Sequence, residues 1–335
     1  MANNETYSVV LIGLGNVGVF YDIGDLTGKK YLTHAKAFSK HARFDLVAGI
    51  DPNDEARATF TKAYSRMAFA SLDDVESNLE PDVVVISSPT DFHLDSIEKV
   101  FRYWRPKAVL CEKPLAYNYP DAQRILEVCN TYNTQLFVNF FRVCDPSTAK
   151  VRQIILDNFK SRYFSGVAWY SKGLKANGVH FVNLLQDLFG DVTSIKIISS
   201  GRRLKPDDLE PEFELRFGSG KVVFLPCKSE DYFHNSIEII ASGGRLRYDN
   251  SGMKVIWQSA EEDTRFPGYV RLSSKERDIS PDYDRIQLNV VEQLLNALDG
   301  KPATICSGRT ALNTQAVITQ IETLTNEDDH HEHSR

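Results

Sequence analysis

Six residues, Gly13-Leu14-Gly15-Asn16-Val17-Gly18, follow at once on the apolar run YSVVLI at 7–12 and leave a chain few ways to fold around them. A strand leading into GxGxxG and then a helix is the arrangement that holds the pyrophosphate of a dinucleotide. Gly13 would permit the tight turn, Gly15 would let the ligand approach the backbone, and Gly18 would let the helix pack close to the strand. The free N–H groups of Asn16, Val17 and their neighbours would face the phosphates. The alternative is an ordinary strand–helix turn.

The context favours the dinucleotide site. Apolar runs at 7–12, 44–50, 82–87, 108–111 and 135–139 alternate with amphipathic stretches at 34–41, 54–64, 91–103 and 119–132. Strands buried on both faces and separated by helices predict an N-terminal Rossmann domain, a doubly wound parallel sheet, over about 1–143. From about residue 163 the rhythm changes to strands at 165–171, 194–199, 212–217, 221–227, 236–241, 245–248 and 254–258, with one helix at 180–189 closed by Gly190. That predicts a C-terminal α/β domain over 144–325 with an open, mostly antiparallel sheet. Helices are expected at 282–298 and 309–325. The stretch 326–335, NEDDHHEHSR, has no apolar residue and is expected to be a disordered tail.

Composition excludes several classes. With 335 residues, 42% hydrophobic and 25% charged, the chain reads as a soluble two-domain protein. Its formal charge of −6 offers no footprint for nucleic acid, and no apolar run is long enough to span a membrane. Five scattered cysteines argue against disulfides and zinc, and for a reducing, cytoplasmic setting. His330, His331 and His333 lie in the acidic tail, and no metal is expected there.

Asp51 ends the second strand. Its carboxylate would accept from the ribose hydroxyls and repel a 2′-phosphate, so NAD is expected rather than NADP. A plain turn aspartate is the other reading. Asp51 lies 33 residues after Gly18, more than the roughly 20 usual for this motif. The surplus is 21–32, YDIGDLTGKKYL, expected to be an insertion before the helix resumes at His34. It is either a loop at the mouth of the site or a bland surface insertion.

Three further motifs follow buried strands: Ser87-Ser88-Pro89-Thr90-Asp91-Phe92-His93, Glu112-Lys113-Pro114 and Asn139-Phe140-Phe141-Arg142. Together with the glycine loop they resemble the glucose–fructose oxidoreductase / inositol dehydrogenase / MocA-like family of NAD(P)-dependent oxidoreductases. The resemblance extends through Asn177-Gly178-Val179-His180 and Gly300-Lys301-Pro302. The insertion and Tyr170-Ser171-Lys172-Gly173 resemble a branch linked to surface-polysaccharide and nucleotide-sugar synthesis. The resemblance implies that Asp51 and the glycine loop hold the adenosine half, and that Ser88, Pro89, Thr90 and His93 line the path to the nicotinamide. It places Glu112 and Lys113 at the nicotinamide ring, and brings His180 to the substrate from the second domain, which would close over the carboxyl ends of the parallel strands. A cis Lys113–Pro114 bond and a homo-oligomer formed through the open sheet, with Trp169, Phe224 and Trp257 contributing, are implied as well.

Hydride exchange at a carbinol carbon needs a group that moves the hydroxyl proton near neutral pH. His180 as acid/base with Lys113 as electrostatic anchor satisfies this, and so does the reverse assignment. On the helix from His180, Phe181, Val182, Leu184, Leu185, Leu188 and Phe189 share one arc, leaving His180 and Asn183 on the other face and Asp187 two turns along. Arg142, Tyr170, Lys172, Asn177 and Asn183 are candidate substrate contacts, suited to a sugar or nucleotide sugar. The family's usual acidic residues around this histidine are replaced by Ala176 and Asn183, which leaves the imidazole without a carboxylate near it in sequence. Two rivals to a dehydrogenase therefore stand: an NAD-using glycosidase or epimerase with transient internal redox, and a non-catalytic dinucleotide-binding regulatory subunit.

Overall fold

The structure is a computed structural model that describes residues 5–75, 78–159, 163–205 and 208–332. It divides into two compact units. The first comprises residues 1–144 and 283–315, the second 145–282 and 316–335.

The first unit opens with β1 (Tyr7–Ile12), α1 (His34–Lys40), β2 (Phe44–Ile50), α2 (Asp54–Tyr64) and β3 (Met67–Phe69). β4 (Val83–Ile86), α3 (His93–Tyr103), β5 (Ala108–Cys111), α4 (Tyr119–Thr131), β6 (Gln135–Val138) and the single turn α5 (Phe141–Cys144) follow. The strands stand in the order β6-β5-β4-β1-β2-β3, all parallel. β4 and β5 are buried throughout because helices cover both faces, which is why VVVI and AVLC read as continuous apolar runs.

Register sets up everything that follows. Ile12 lies beside Ile50 and Ile86, Ile86 beside Cys111, and Cys111 beside Val138. The residues after these strand ends, Gly13, Asp51, Ser87, Glu112 and Asn139, therefore leave the sheet along one edge. Their N–H groups continue the ladder: Gly13 donates to Ile50 O at 2.8 Å, Ser87 to Ile12 O at 2.8 Å, Glu112 to Ile86 O at 2.8 Å and Asn139 to Cys111 O at 2.8 Å.

The second unit contains α6 (Pro146–Asn158), β7 (Phe164–Tyr170), α7 (Val179–Phe189), β8 (Val192–Lys205), β9 (Asp208–Phe217), β10 (Gly220–Pro226), β11 (Ser236–Ala241), β12 (Gly244–Asp249), β13 (Lys254–Glu262), β14 (Val270–Leu272) and β15 (Arg277–Asp278). Its strands run β14-β13-β12-β11-β7-β10-β9-β8, with β15 beside β13. Every pairing is antiparallel except β7 with β10. The expected open, mostly antiparallel sheet is therefore present. Its inner face packs Tyr170, Phe213 and Phe224, all fully buried, with Phe213 and Phe224 stacked at 4.6 Å.

Two expectations are corrected. The chain does not stay in the second unit after residue 144. α8 (Ile286–Leu298) and β16 (Cys306–Ser307) belong to the first, where β16 pairs antiparallel with β6. Tyr31 N–H donates to Asp284 O at 2.6 Å and Gln287 N–H to Tyr31 O at 3.1 Å, which ties this late segment to the early insertion. The tail also departs from expectation: α9 (Gly308–Glu332) continues through most of it. Lack of apolar residues removes packing, but no glycine or proline interrupts the helix there. The side chains of His330 and His331, and all of His333, lie outside the described residues. Helix α6 was not anticipated from the sequence, although Asp145 caps it through the Ser147 N–H at 2.7 Å and Pro146 stands in its first turn.

Candidate cofactor and active site

The glycine loop has the geometry its spacing implies. Gly13 has φ +94°, and a Cβ there would lie 2.4 Å from Ser88 N. A Cβ at Gly18 would lie 2.4 Å from Gly13 O, so the loop closes on itself tightly. Gly15 is different: a Cβ would meet nothing within 4 Å. Ser87 Oγ donates to Gly13 O at 2.7 Å and pins the loop to β4. Among the described residues, the N–H groups of Gly15, Asn16, Val17 and Gly18 find no acceptor in the protein. Four unused donors beside an open approach fit a diphosphate.

Asp51 serves the same loop. Its Oδ2 accepts from Leu14 N–H at 2.7 Å and its Oδ1 from Asn53 N–H at 2.8 Å. Each oxygen keeps a lone pair for a ribose hydroxyl. Arg57, on α2, donates to Asp51 O at 2.7 Å, so a guanidinium does stand near this carboxylate, brought round by the helix.

The insertion is spliced into a helix. Val19 N–H donates to Gly15 O at 2.8 Å, beginning a turn. After the insertion, His34 N–H donates to Val17 O and Ala35 N–H to Gly18 O, both at 3.0 Å. Asp22, buried, clamps the re-entry by accepting from Leu32 N–H at 2.7 Å and from Thr33 Oγ1 at 2.6 Å. Lys36, fully buried, holds the Asp25 carbonyl and lies 5.4 Å from the Tyr31 ring centroid.

Beyond β4, the Ser88 Oγ is buried and has no partner. Pro89 precedes the short turn Thr90–Phe92, with Pro89 exposed and Thr90 half-buried. His93 is corrected as a cofactor contact. It is completely buried, with Nδ1 3.1 Å from Leu115 O and Nε2 3.0 Å from Ser88 O. Burial pushes its pKa below the ordinary value, against the pull of those carbonyls. It ties the Ser88 loop to the residues after Pro114 rather than facing a ligand.

Glu112 and Lys113 leave β5 at the same edge, and the Lys113–Pro114 bond is cis. Glu112 Oε1 meets His34 Nε2 at 2.8 Å and accepts from Asn139 Nδ2 at 2.6 Å, while Asn139 Nδ2 also lies 3.2 Å from Gln287 Oε1. Burial works to raise the Glu112 pKa, but His34, Asn139 and the charge of Lys113 outweigh it and hold the carboxyl below its usual value. His34, Asn139 and Gln287 were not picked out as site residues. Asn139 did open one of the four motifs, and His34 resumed the helix. Gln287 gave no local signal. Arg142, on α5, lies 4.7 Å from the Phe141 ring centroid, and its guanidinium donates to Tyr283 Oη at 3.4 Å.

The other candidates lie in the second unit. His180 is the second residue of α7, after a π-helical turn at Leu174–Gly178. Two buried carboxylates reach that turn from β9. Asp208 accepts from Lys175 N–H at 2.9 Å and Ala176 N–H at 3.2 Å, and Glu210 accepts from Gly173 N–H at 3.0 Å. Both carboxylates are spent on backbone N–H groups of the turn that precedes His180. Asn177 Nδ2 donates to Ser171 O at 2.8 Å. Asn183 is buried and Lys172 exposed, with the Lys172 ammonium 5.5 Å from the Phe233 ring centroid. Tyr170 is corrected: its hydroxyl donates to Pro211 O at 2.6 Å inside the core, and burial pushes its pKa well up. Asp187 forms a two-pronged pair with Arg152 at 2.7 and 2.8 Å. Of the aromatics implied for assembly, Trp169 is 39% exposed while Phe224 and Trp257 are buried. Among the described residues no cluster of His, Cys, Asp and Glu could hold a metal, and no helix is long and apolar enough to cross a membrane.

A parallel sheet in this strand order, with a glycine loop and an aspartate at its carboxyl edge, has the architecture of a Rossmann domain. Residues 7–140 match the family model GFO_IDH_MocA, "Oxidoreductase family, NAD-binding Rossmann fold". The inositol 2-dehydrogenase of Rhizobium meliloti is 32% identical over 160 residues, covering 48% of this chain and 47% of that protein. The 2,7-anhydro-N-acetylneuraminate hydratase of Escherichia coli is 23% identical over 239 residues, covering 64% and 61%. These alignments span about half to three fifths of each relative. The fold continues further: the WlbA dehydrogenase of Bordetella pertussis, solved with NADH and UDP-GlcNAcA, superposes with a TM-score of 0.73 over 98% of both chains at 18% identity.

Proposed function

We propose that this chain is an NAD-dependent oxidoreductase that transfers a hydride between nicotinamide and a hydroxyl or keto carbon of a sugar or nucleotide sugar. The observation that carries the reading is the single sheet edge bearing the glycine loop, Asp51, Ser88, Glu112 and Lys113. Bound there, NAD would supply the hydride acceptor or donor. Lys113 holds the substrate oxygen and stabilises its developing negative charge. His180 exchanges the hydroxyl proton, and the two roles can be reversed. Asn177, Asn183, Lys172 and Arg142 orient the sugar and any anionic group it carries. The relatives that act on inositol or were solved with a nucleotide sugar support this substrate class.

A second reading has one observation in its favour, the likeness to a hydratase, whose overall reaction is not a redox one. Assembly through the open sheet is part of the proposal, supported by outward-facing Val167, Trp169 and Ile240. A reducing, cytoplasmic setting is supported by five free thiols.

The test is a thermal-shift and absorbance screen with NAD(H) and NADP(H), alone and with sugars and nucleotide sugars. Stabilisation by NAD(H) with an absorbance change at about 340 nm is expected. Stabilisation with turnover but no such change would favour the second reading. The absence of any dinucleotide effect would overturn both.

A further inference from the structure

Four side chains meet where the chain leaves β5 for Lys113, and the proposed proton and hydride transfer uses none of them: His34, Glu112, Asn139 and Gln287. They come from α1, β5, β6 and α8, from positions as far apart in sequence as 34 and 287. Glu112 is the centre. It is a nearly buried carboxylate, 13% exposed, held in its ionised form and adjacent in the chain to Lys113. An ionised carboxylate in such a place needs donors, and His34 and Asn139 supply them. His34 is itself fixed. It is 1% exposed, its backbone bonds to Val17 O, and Thr33 before it is clamped by Asp22. The insertion thus ends in a rigid mount for the His34 ring.

We infer that His34 is a positioning residue for Lys113: by donating from Nε2 to Glu112 Oε1 it keeps that carboxylate ionised, and the carboxylate keeps the Lys113 amine an ammonium. The inference rests on the proposed role of Lys113, but its physical core is a property of the protein alone. The charged and titratable groups facing Glu112 are His34 from α1, Lys113 next to it in the chain, His93 from α3 and Cys111 from β5; Asn139 and Gln287 are neutral. If His34 loses its donor, Glu112 takes up a proton more readily and Lys113 loses its counter-charge.

The substitutions that test this differ only in where an amide sits. Glutamine places its N–H near the Nε2 position, whereas asparagine reaches only as far as Nδ1. In the unliganded protein, the pKa of Lys113 can be read by competitive acylation across pH with mass spectrometry of its peptide. His34→Asn should lower that pKa, and His34→Gln should restore it. Glu112→Gln should lower it too, and the double variant with His34→Asn should fall no further. Where turnover exists, His34→Asn should cost about tenfold to a hundredfold in kcat with KM for NAD(H) little changed, and His34→Gln should recover most of it. Unchanged acylation in His34→Asn, equal loss in both His34 variants, or additive effects with Glu112→Gln would each overturn the inference. Failure of the dehydrogenase reading would show instead as absent turnover with the acylation pattern intact.

Discussion

At the scale of single residues, the chemistry rests on a few groups whose roles separate by experiment. On the proposed role of Lys113 in stabilising developing charge, Lys113→Ala should reduce turnover by about a hundredfold or more while leaving the thermal shift with NADH in place. Asp51→Ala removes the acceptor of the Leu14 and Asn53 N–H groups and, on the proposed role of Asp51, of a ribose hydroxyl, and should weaken NADH binding by about 1.5–3 kcal/mol in a calorimetric titration. Glu112 gives a pH signature. A carboxyl held below its usual 4.5 adds stability that is complete above that value and is lost as pH falls through the depressed one. Thermal unfolding should therefore show the advantage of the wild type over Glu112→Gln shrinking as pH drops from about 5 to about 3. The motif residues were legible in sequence because they are contiguous and follow apolar runs. His93 and Tyr170 misled for one shared reason: each is a polar side chain inside a recognisable motif, and its polar atoms are spent on backbone carbonyls in the core.

At the scale of elements, the glycine loop separates stability from binding. Gly13→Ala drives a Cβ into the Ser88 backbone at positive φ and should cost about 2 kcal/mol or more in thermal unfolding, with or without ligand. Gly15→Ala meets no protein atom and should leave the unliganded melting temperature almost unchanged, yet abolish most of the shift produced by NADH. Equal behaviour of the two variants would contradict the cradle described here. Most elements of both sheets were readable from alternating apolar runs and turn residues. The misses are the three-residue β3 and β14, the two-residue β15 and β16, the single turn α5, and α6, whose start at Asp145-Pro146 is its one local signal. Strands that short carry no periodicity to detect.

At the scale of the whole molecule, the sequence could not reveal that 283–315 returns to the first unit, because a return is a long-range contact and leaves no local pattern. A chain truncated after Cys144 would lack α8 and β16, leaving one edge of β6 open and the Tyr31 backbone without its partners. It should give no cooperative thermal transition by circular dichroism. The open sheet of the second unit makes a separate prediction. Trp169→Glu on its outward face should lower the sedimentation coefficient of the protein if copies associate there, with unfolding temperature little altered. The divided first unit also bears on biosynthesis. The ribosome delivers its glycine loop before the second unit but α8 and β16 only after every strand of the second unit has been made. The first unit is thus interrupted by the second, so the nascent chain carries an open β6 edge until the second unit's sheet has been synthesised, a stretch in which chaperones would find that edge exposed.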